Sequence, residues 1–148
     1  MPWKKPSVYF NLTEVKKSII LVKVKLYVLT GSSQSNETQE VKAVLFDILN
    51  GDKLSSRTIA SNESGWKPFE FRSVSSAMNW ISNPSYNQGV EMKFWRGMKK
   101  LDSTTVAQLL PCIDKPWLTL YYYEPASTVS EFKKRILGAN NGKLKNKT

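Results

Sequence analysis

The sequence predicts a mainly β protein, an antiparallel two-sheet β-sandwich with one short inserted helix over about residues 73–82. Three observations carry this. Apolar residues alternate with period two through Ile19–Leu29. Short apolar runs recur along the chain with Gly, Pro, Asn or Ser clusters between them. The periodicity changes once, after Phe71, to that of a helix. At 148 residues the chain reads as one domain, able to bury roughly 68–70% of its unfolded surface.

Each element has a local reason. Ser7–Thr13 alternates weakly, with Val8, Phe10 and Leu12 on one side. In Ile19–Leu29 the residues Val22, Val24, Leu26 and Val28 face one way, while Lys23, Lys25 and Tyr27 face the other. That is the pattern of a strand with one solvated face. Gly31–Gln39 is polar and reads as a loop. Val41–Leu49 is nearly continuously apolar, as in a strand covered on both faces. Asn50-Gly51-Asp52 supplies a tight turn, Leu54–Ala60 pairs back, and Ser61–Gly65 turns into a strand at Trp66–Phe71. Val74, Ala77, Met78 and Ile81 then line one face of a helix of about two turns. Ser73 is its expected N-cap, and Trp80 sits at the border of the apolar stripe. Pro84 ends the helix, because the residue before a proline is disfavoured in α geometry. Gln88–Trp95 and Trp117–Tyr123 are the last strands. Lys99–Asp114 between them is ambiguous, with Val106–Leu110 a short strand or a short helix.

The sandwich is expected to span residues 1–126, and residues 127–148 form a basic tail. The net charge is +10, and much of it sits in that tail: Lys133, Lys134, Arg135, Lys143, Lys145 and Lys147 against Glu131. The tail holds one short apolar cluster, Phe132, Ile136 and Leu137, too little to offset its ordering entropy, so disorder is expected beyond about Val129. A nucleic-acid binder would show a basic stripe interleaved with exposed aromatics. The expectation here is a solvated tail and no nucleic-acid partner. No apolar run approaches the roughly 20 residues of a membrane span.

Catalytic chemistry finds little to work with. The chain has no histidine and a single cysteine, which removes Ser-His and Cys-His pairs, imidazole bases and His- or thiolate-bound zinc. No Gly-rich phosphate loop is present. Glu70 and Glu91 are the one pair of acids that could meet on neighbouring strands, and paired surface acids are the reading for them. A non-enzyme without metal or cofactor is expected. Trp66, Phe69, Phe71, Trp80 and Trp117 are assigned to the core, and Gly89 to a strand restart after a turn. Cys112 reads either as a small buried hydrophobe near Leu109 and Ile113 or as half of an inter-chain disulfide. Sequons at Asn11, Asn36, Asn62 and Asn146 point to a secreted glycoprotein, with Asn36 and Asn62 on turn-like segments and Asn11 inside a strand pattern.

Several segments, in order, resemble one family. Tyr9-Phe10-Asn11-Leu12-Thr13, the strand Val24-Lys25-Leu26-Tyr27, and Ser56-Arg57-Thr58-Ile59 followed by Gly65-Trp66 come first. The turn Asn83-Pro84 through Asn87-Gln88-Gly89-Val90-Glu91 and the closing Lys115-Pro116-Trp117-Leu118 with Glu124-Pro125 complete the set. This order is similar to the prodomain of transforming growth factor-β superfamily precursors, specifically its arm domain, over residues 8 to 125. The spacing from Trp66 to Trp80 is slightly longer than in the family. The resemblance implies a secreted, extracellular folding aid and carrier, one part of a longer precursor. Its implied partners are a cystine-knot growth factor dimer, a second prodomain and the extracellular matrix. Arg135 in Phe132-Lys133-Lys134-Arg135 is the cleavage candidate, although Phe132 stands where the family's protease site has Arg. The alternative is a free-standing secreted β-sandwich binding module, with carbohydrate as its candidate ligand, since such modules share the Gly-Trp, helix-Trp and Asn-Gly features.

Overall fold

The computed structural model describes residues 7–33, 37–124, 132–138 and 146–147. They form two antiparallel sheets around one apolar core, the expected sandwich. The first sheet contains β1 (Ser7–Val8), β3 (Glu40–Asp47), β4 (Lys53–Ala60), β6 (Val90–Arg96) and β7 (Lys99–Lys100). Its order is β1-β6-β3-β4, with β7 also paired to β6. The second contains β2 (Ile20–Thr30), β5 (Gly65–Glu70), β8 (Cys112–Tyr123), β9 (Phe132–Gly138) and β10 (Asn146–Lys147), in the order β10-β9-β8-β2-β5. Helix α1 (Ser75–Ser82) lies in the connection from β5 to β6, and α2 (Ser103–Leu109) in that from β7 to β8. Both helices therefore occupy passages from one sheet to the other.

The core has a simple register. In the second sheet Phe69, Leu26, Leu118 and Leu137 stand opposite one another across four strands, and each is fully buried. Burial of each such side chain contributes about 1.5–3 kcal/mol. In the first sheet Ala43 lies between Phe94 and Arg57, and Leu45 between Met92 and Ser55. A small residue beside Phe94 leaves room for its ring to reach the core.

The structure departs from the expected pattern at several places. A register shift between Leu21 and Lys23 turns Leu21 inward and leaves Val22 48% exposed. The extra residue of a bulge changes which side chains share a face, so Val22 does not join Val24, Leu26 and Val28. The ambiguous segment Lys99–Asp114 holds β7, the helix α2, capped by Asp102, and the start of β8. Ser73 is not the N-cap of α1; that position is Val74, without a side-chain cap. The Ser73 hydroxyl instead accepts from the Ser75 N–H at 3.2 Å. Trp80 is central to the buried face of α1, with Ala77 and Ile81, rather than at its border.

The largest correction concerns the C-terminal segment. β9 pairs with β8 over Trp117–Tyr123, and Leu137 is buried in the sandwich. Residues 132–138 of the expected tail therefore belong to the sandwich, while the boundary at residue 126 and the onset of disorder near Val129 lie outside the described residues. The apolar cluster that looked too small alone is completed by β8.

Gly89 has the tightest backbone position. Its φ is +93° and a Cβ there would stand 2.7 Å from the Val8 carbonyl oxygen. Gly89→Ala is expected to cost roughly 1–3 kcal/mol from backbone strain, with the clash against β1 added. A urea midpoint indistinguishable from wild type would contradict this.

Candidate functional site

The block from Gly65 to Phe94 is locked to the first sheet by side chains of its helix and turn. The Trp80 indole N–H donates to Asp47 Oδ2 at 3.2 Å. Asp47 is itself buried, and its Oδ1 accepts from the Leu49 N–H at 3.0 Å. Phe71 meets Trp80 edge-on at 6.0 Å. Beyond the helix, Asn83 is extended, as a residue before proline should be. Its Oδ1 accepts from the Ser85 N–H at 3.2 Å and the Ser85 hydroxyl at 2.8 Å. A short 3-10 turn, Pro84–Tyr86, follows. Buried Asn87 donates to the Phe10 carbonyl at 2.7 Å and accepts from the Gly89 N–H at 3.3 Å. The turn thus holds the segment after β1, and Gly89 sits against β1 itself.

Beside this block the edge of β6 is covered at both ends and leaves a short gap between them. β1 pairs with Val90 and Glu91, and β7 with Trp95 and Arg96. Past β7 the Phe94 carbonyl accepts from the Leu101 N–H at 2.8 Å, and among the described residues no strand pairs with Met92 and Lys93 on that side. A cleft of about 210 Å³ lies there. Met92, Phe94, Leu101 and Val106 give it apolar walls, with Lys93 and Lys100 also lining it.

The other surface of note is the outer face of the second sheet. Tyr27 stacks on Trp117 at 5.1 Å, and Trp66 meets Trp117 at 4.0 Å. Trp66 is 40% exposed and Trp117 half-buried. Neither is a core residue, because Lys67 and Phe69 are the β5 residues turned inward and Leu118 and Leu120 those of β8. Phe69, Phe71 and Trp80 are core, as expected.

The remaining assigned residues are dispersed. Glu70 and Glu91 lie in different sheets, so they do not meet on neighbouring strands. Among the described residues no group of His, Cys, Asp or Glu is set to hold a metal ion. Cys112 is buried at the start of β8, which favours the small-hydrophobe reading over an inter-chain disulfide. Arg135 lies within β9, opposite Leu120. A protease needs a locally extended, unpaired segment, so Arg135 is poorly placed as a cleavage point. Asn36 lies outside the described residues, and Asn146 is placed only by its backbone in β10. Asn11 follows β1 rather than lying in it. It is half-buried, and its side chain accepts from the Thr13 N–H and hydroxyl.

Two carboxylates are held below the usual range. Asp102 accepts from the Thr105 N–H at 2.8 Å, and this backbone hydrogen bond is the main cause. Its cap on α2 is in place above the pKa of the unfolded chain and is lost as pH falls through the lower folded value. Glu63 accepts from the Ala60 N–H at 3.0 Å, and the Lys67 and Arg57 charges add to that pull.

None of the protein families, curated proteins or solved structures compared with the chain matches it.

Proposed function

We propose that the chain is the non-catalytic prodomain of a secreted transforming growth factor-β-superfamily growth factor. In this reading it assists folding and dimerisation of its covalently linked ligand and carries the ligand after cleavage. The carrying observation is the work done by the resembling residues in the Gly65–Phe94 block. Trp80, Asn87 and Gly89 join helix, turn and strand to β1 and to the β3–β4 hairpin, which supports a scaffolding role. The apolar cleft beside the gap at Met92 and Lys93 supplies a shelf for an apolar segment of a hydrophobic ligand.

The test starts from the complete transcript, read for a cystine-knot cysteine pattern downstream of Thr148. The growth factor so encoded is then expressed in a eukaryotic secretory host with and without this chain. Secretion of a folded ligand dimer in complex with the chain is expected. A transcript lacking the pattern, or a ligand secreted equally well alone, sinks the reading.

The secretory reading also predicts a glycan at Asn62, which is exposed in the turn between β4 and β5. Glycosidase treatment of the secreted protein should increase gel mobility, and Asn62→Gln should remove one such step. Protein whose mobility the enzyme leaves unchanged counts against it.

A further inference from the structure

The outer face of the second sheet concentrates positive charge on an aromatic surface. Lys23, Tyr121 and Lys134 stand directly opposite one another across β2, β8 and β9, so they share one face. Lys25 follows two residues along β2 on that same face. The Lys23 and Lys25 ammonium groups lie 5.5 and 5.9 Å from the centre of the Tyr121 ring. Lys25 is opposite Glu70 in the β2–β5 register, yet no ion pair joins them; the Lys25 ammonium leans to the ring. Like charges brought together on one sheet face repel, and an anion placed among them relieves that repulsion. The Tyr27–Trp117–Trp66 group adjoins the cluster, because Tyr27 and Trp117 are opposed in the same pair of strands.

We propose that this face binds a linear sulfated polysaccharide. Its sulfates meet Lys23, Lys25 and Lys134, and its sugar backbone passes the exposed part of Trp66. Neighbouring strands are about 4.8 Å apart and alternate residues about 6.8 Å apart, so the three lysines form a compact footprint that several sulfates of one chain can reach. The net charge of +10 favours a polyanion over a neutral glycan. A single-stranded nucleic acid fits less well, since it needs an uncovered ring face for each stacked base. Here two ammonium groups cover Tyr121, and Tyr27, Trp117 and Trp66 pack on one another. This goes beyond the carrier reading: the cleft of that reading is on the other sheet, and either surface can fail without the other.

The intact chain is titrated with heparin, with unsulfated hyaluronan and with poly(dT) near physiological salt. Heparin is expected to bind and hyaluronan not. K23A/K25A/K134A should weaken heparin binding roughly tenfold or more. K16A/K17A/K53A, which removes equal charge from exposed positions elsewhere, should weaken it by less than about threefold. The triple Lys→Arg variant should retain binding, and denaturation midpoints should be unchanged in all three. Equal losses in the two alanine variants would mean that overall charge alone is read, and would overturn the proposal. So would absent heparin binding, or tighter binding of poly(dT) with the same dependence on Lys23, Lys25 and Lys134.

Discussion

Trp80→Ala is expected to cost about 3–5 kcal/mol, the range for deleting a buried Trp. Trp80 is 3% exposed and makes three separate contributions. It fills the space beneath α1, meets Phe71 edge-on, and donates to Asp47. Asp47 is equally buried, so losing the indole N–H removes a partner from a carboxylate that water cannot readily reach. Trp80→Phe separates these effects. It keeps most of the volume and should cost about 1–3 kcal/mol through the lost hydrogen bond to a charged group. Trp66→Ala gives the contrast. Trp66 lies on the outer face, and its loss forfeits a contact with Trp117 worth about 0.5–1.5 kcal/mol. Urea midpoints of the three variants should fall in the order Trp66→Ala, Trp80→Phe, Trp80→Ala, from least to most destabilised. A Trp66→Ala midpoint as low as that of Trp80→Ala would contradict the assignment of the two indoles.

The difference between these two tryptophans shows where the sequence was legible. Period-two alternation located β2 and the change to helical period located α1, because both patterns are written in consecutive residues. Trp80 at helical spacing could therefore be placed near the core. Trp66 could not be distinguished from Phe69 by hydrophobicity. Its face follows from parity along β5, and reading that parity requires knowing that Lys67 is buried. Lys67 turns inward and reaches the Ser64 carbonyl at 3.3 Å and Glu63 at 3.6 Å, a local arrangement that hydropathy does not reveal. The bulge at Val22 escaped for a similar reason, since a shift in pairing leaves the alternation unbroken. Asp47, the acceptor for Trp80, was hidden at the end of an apolar run. Its partner lies 33 residues away. The lysine cluster around Tyr121 was equally illegible, because it joins residues from three strands whose order only the fold supplies.

Leu137→Ala is expected to cost about 2–5 kcal/mol, although Leu137 lies in a segment whose composition suggests a solvated tail. The reason is positional. Leu137 has no exposed surface and stands opposite Leu118, which stands opposite Leu26, so the cavity left by its deletion opens in the central row of the sheet. The cations around it do not oppose this arrangement. Lys134 is exposed, and Lys133 meets Glu124 at 3.2 Å across the β8–β9 pair. Alternation along β9 sends Lys134 to the face opposite Leu137. Lys133 and Arg135 share the parity of Leu137 yet stay partly exposed, and β8 supplies the backbone partners that a lone basic segment lacks. The same pairing should protect Arg135. In native protein, trypsin is expected to leave the Arg135–Ile136 bond intact while the sandwich is folded, and Leu137→Ala should make it cleavable at lower denaturant. Ending the chain after Ala126 removes β9 altogether and uncovers Leu118 and Leu120, so the cooperative unfolding transition should be lost or shifted far downward. An unchanged midpoint for Leu137→Ala, together with rapid cutting at Arg135 in otherwise folded protein, would remove β9 from the core and restore the sandwich boundary near residue 126.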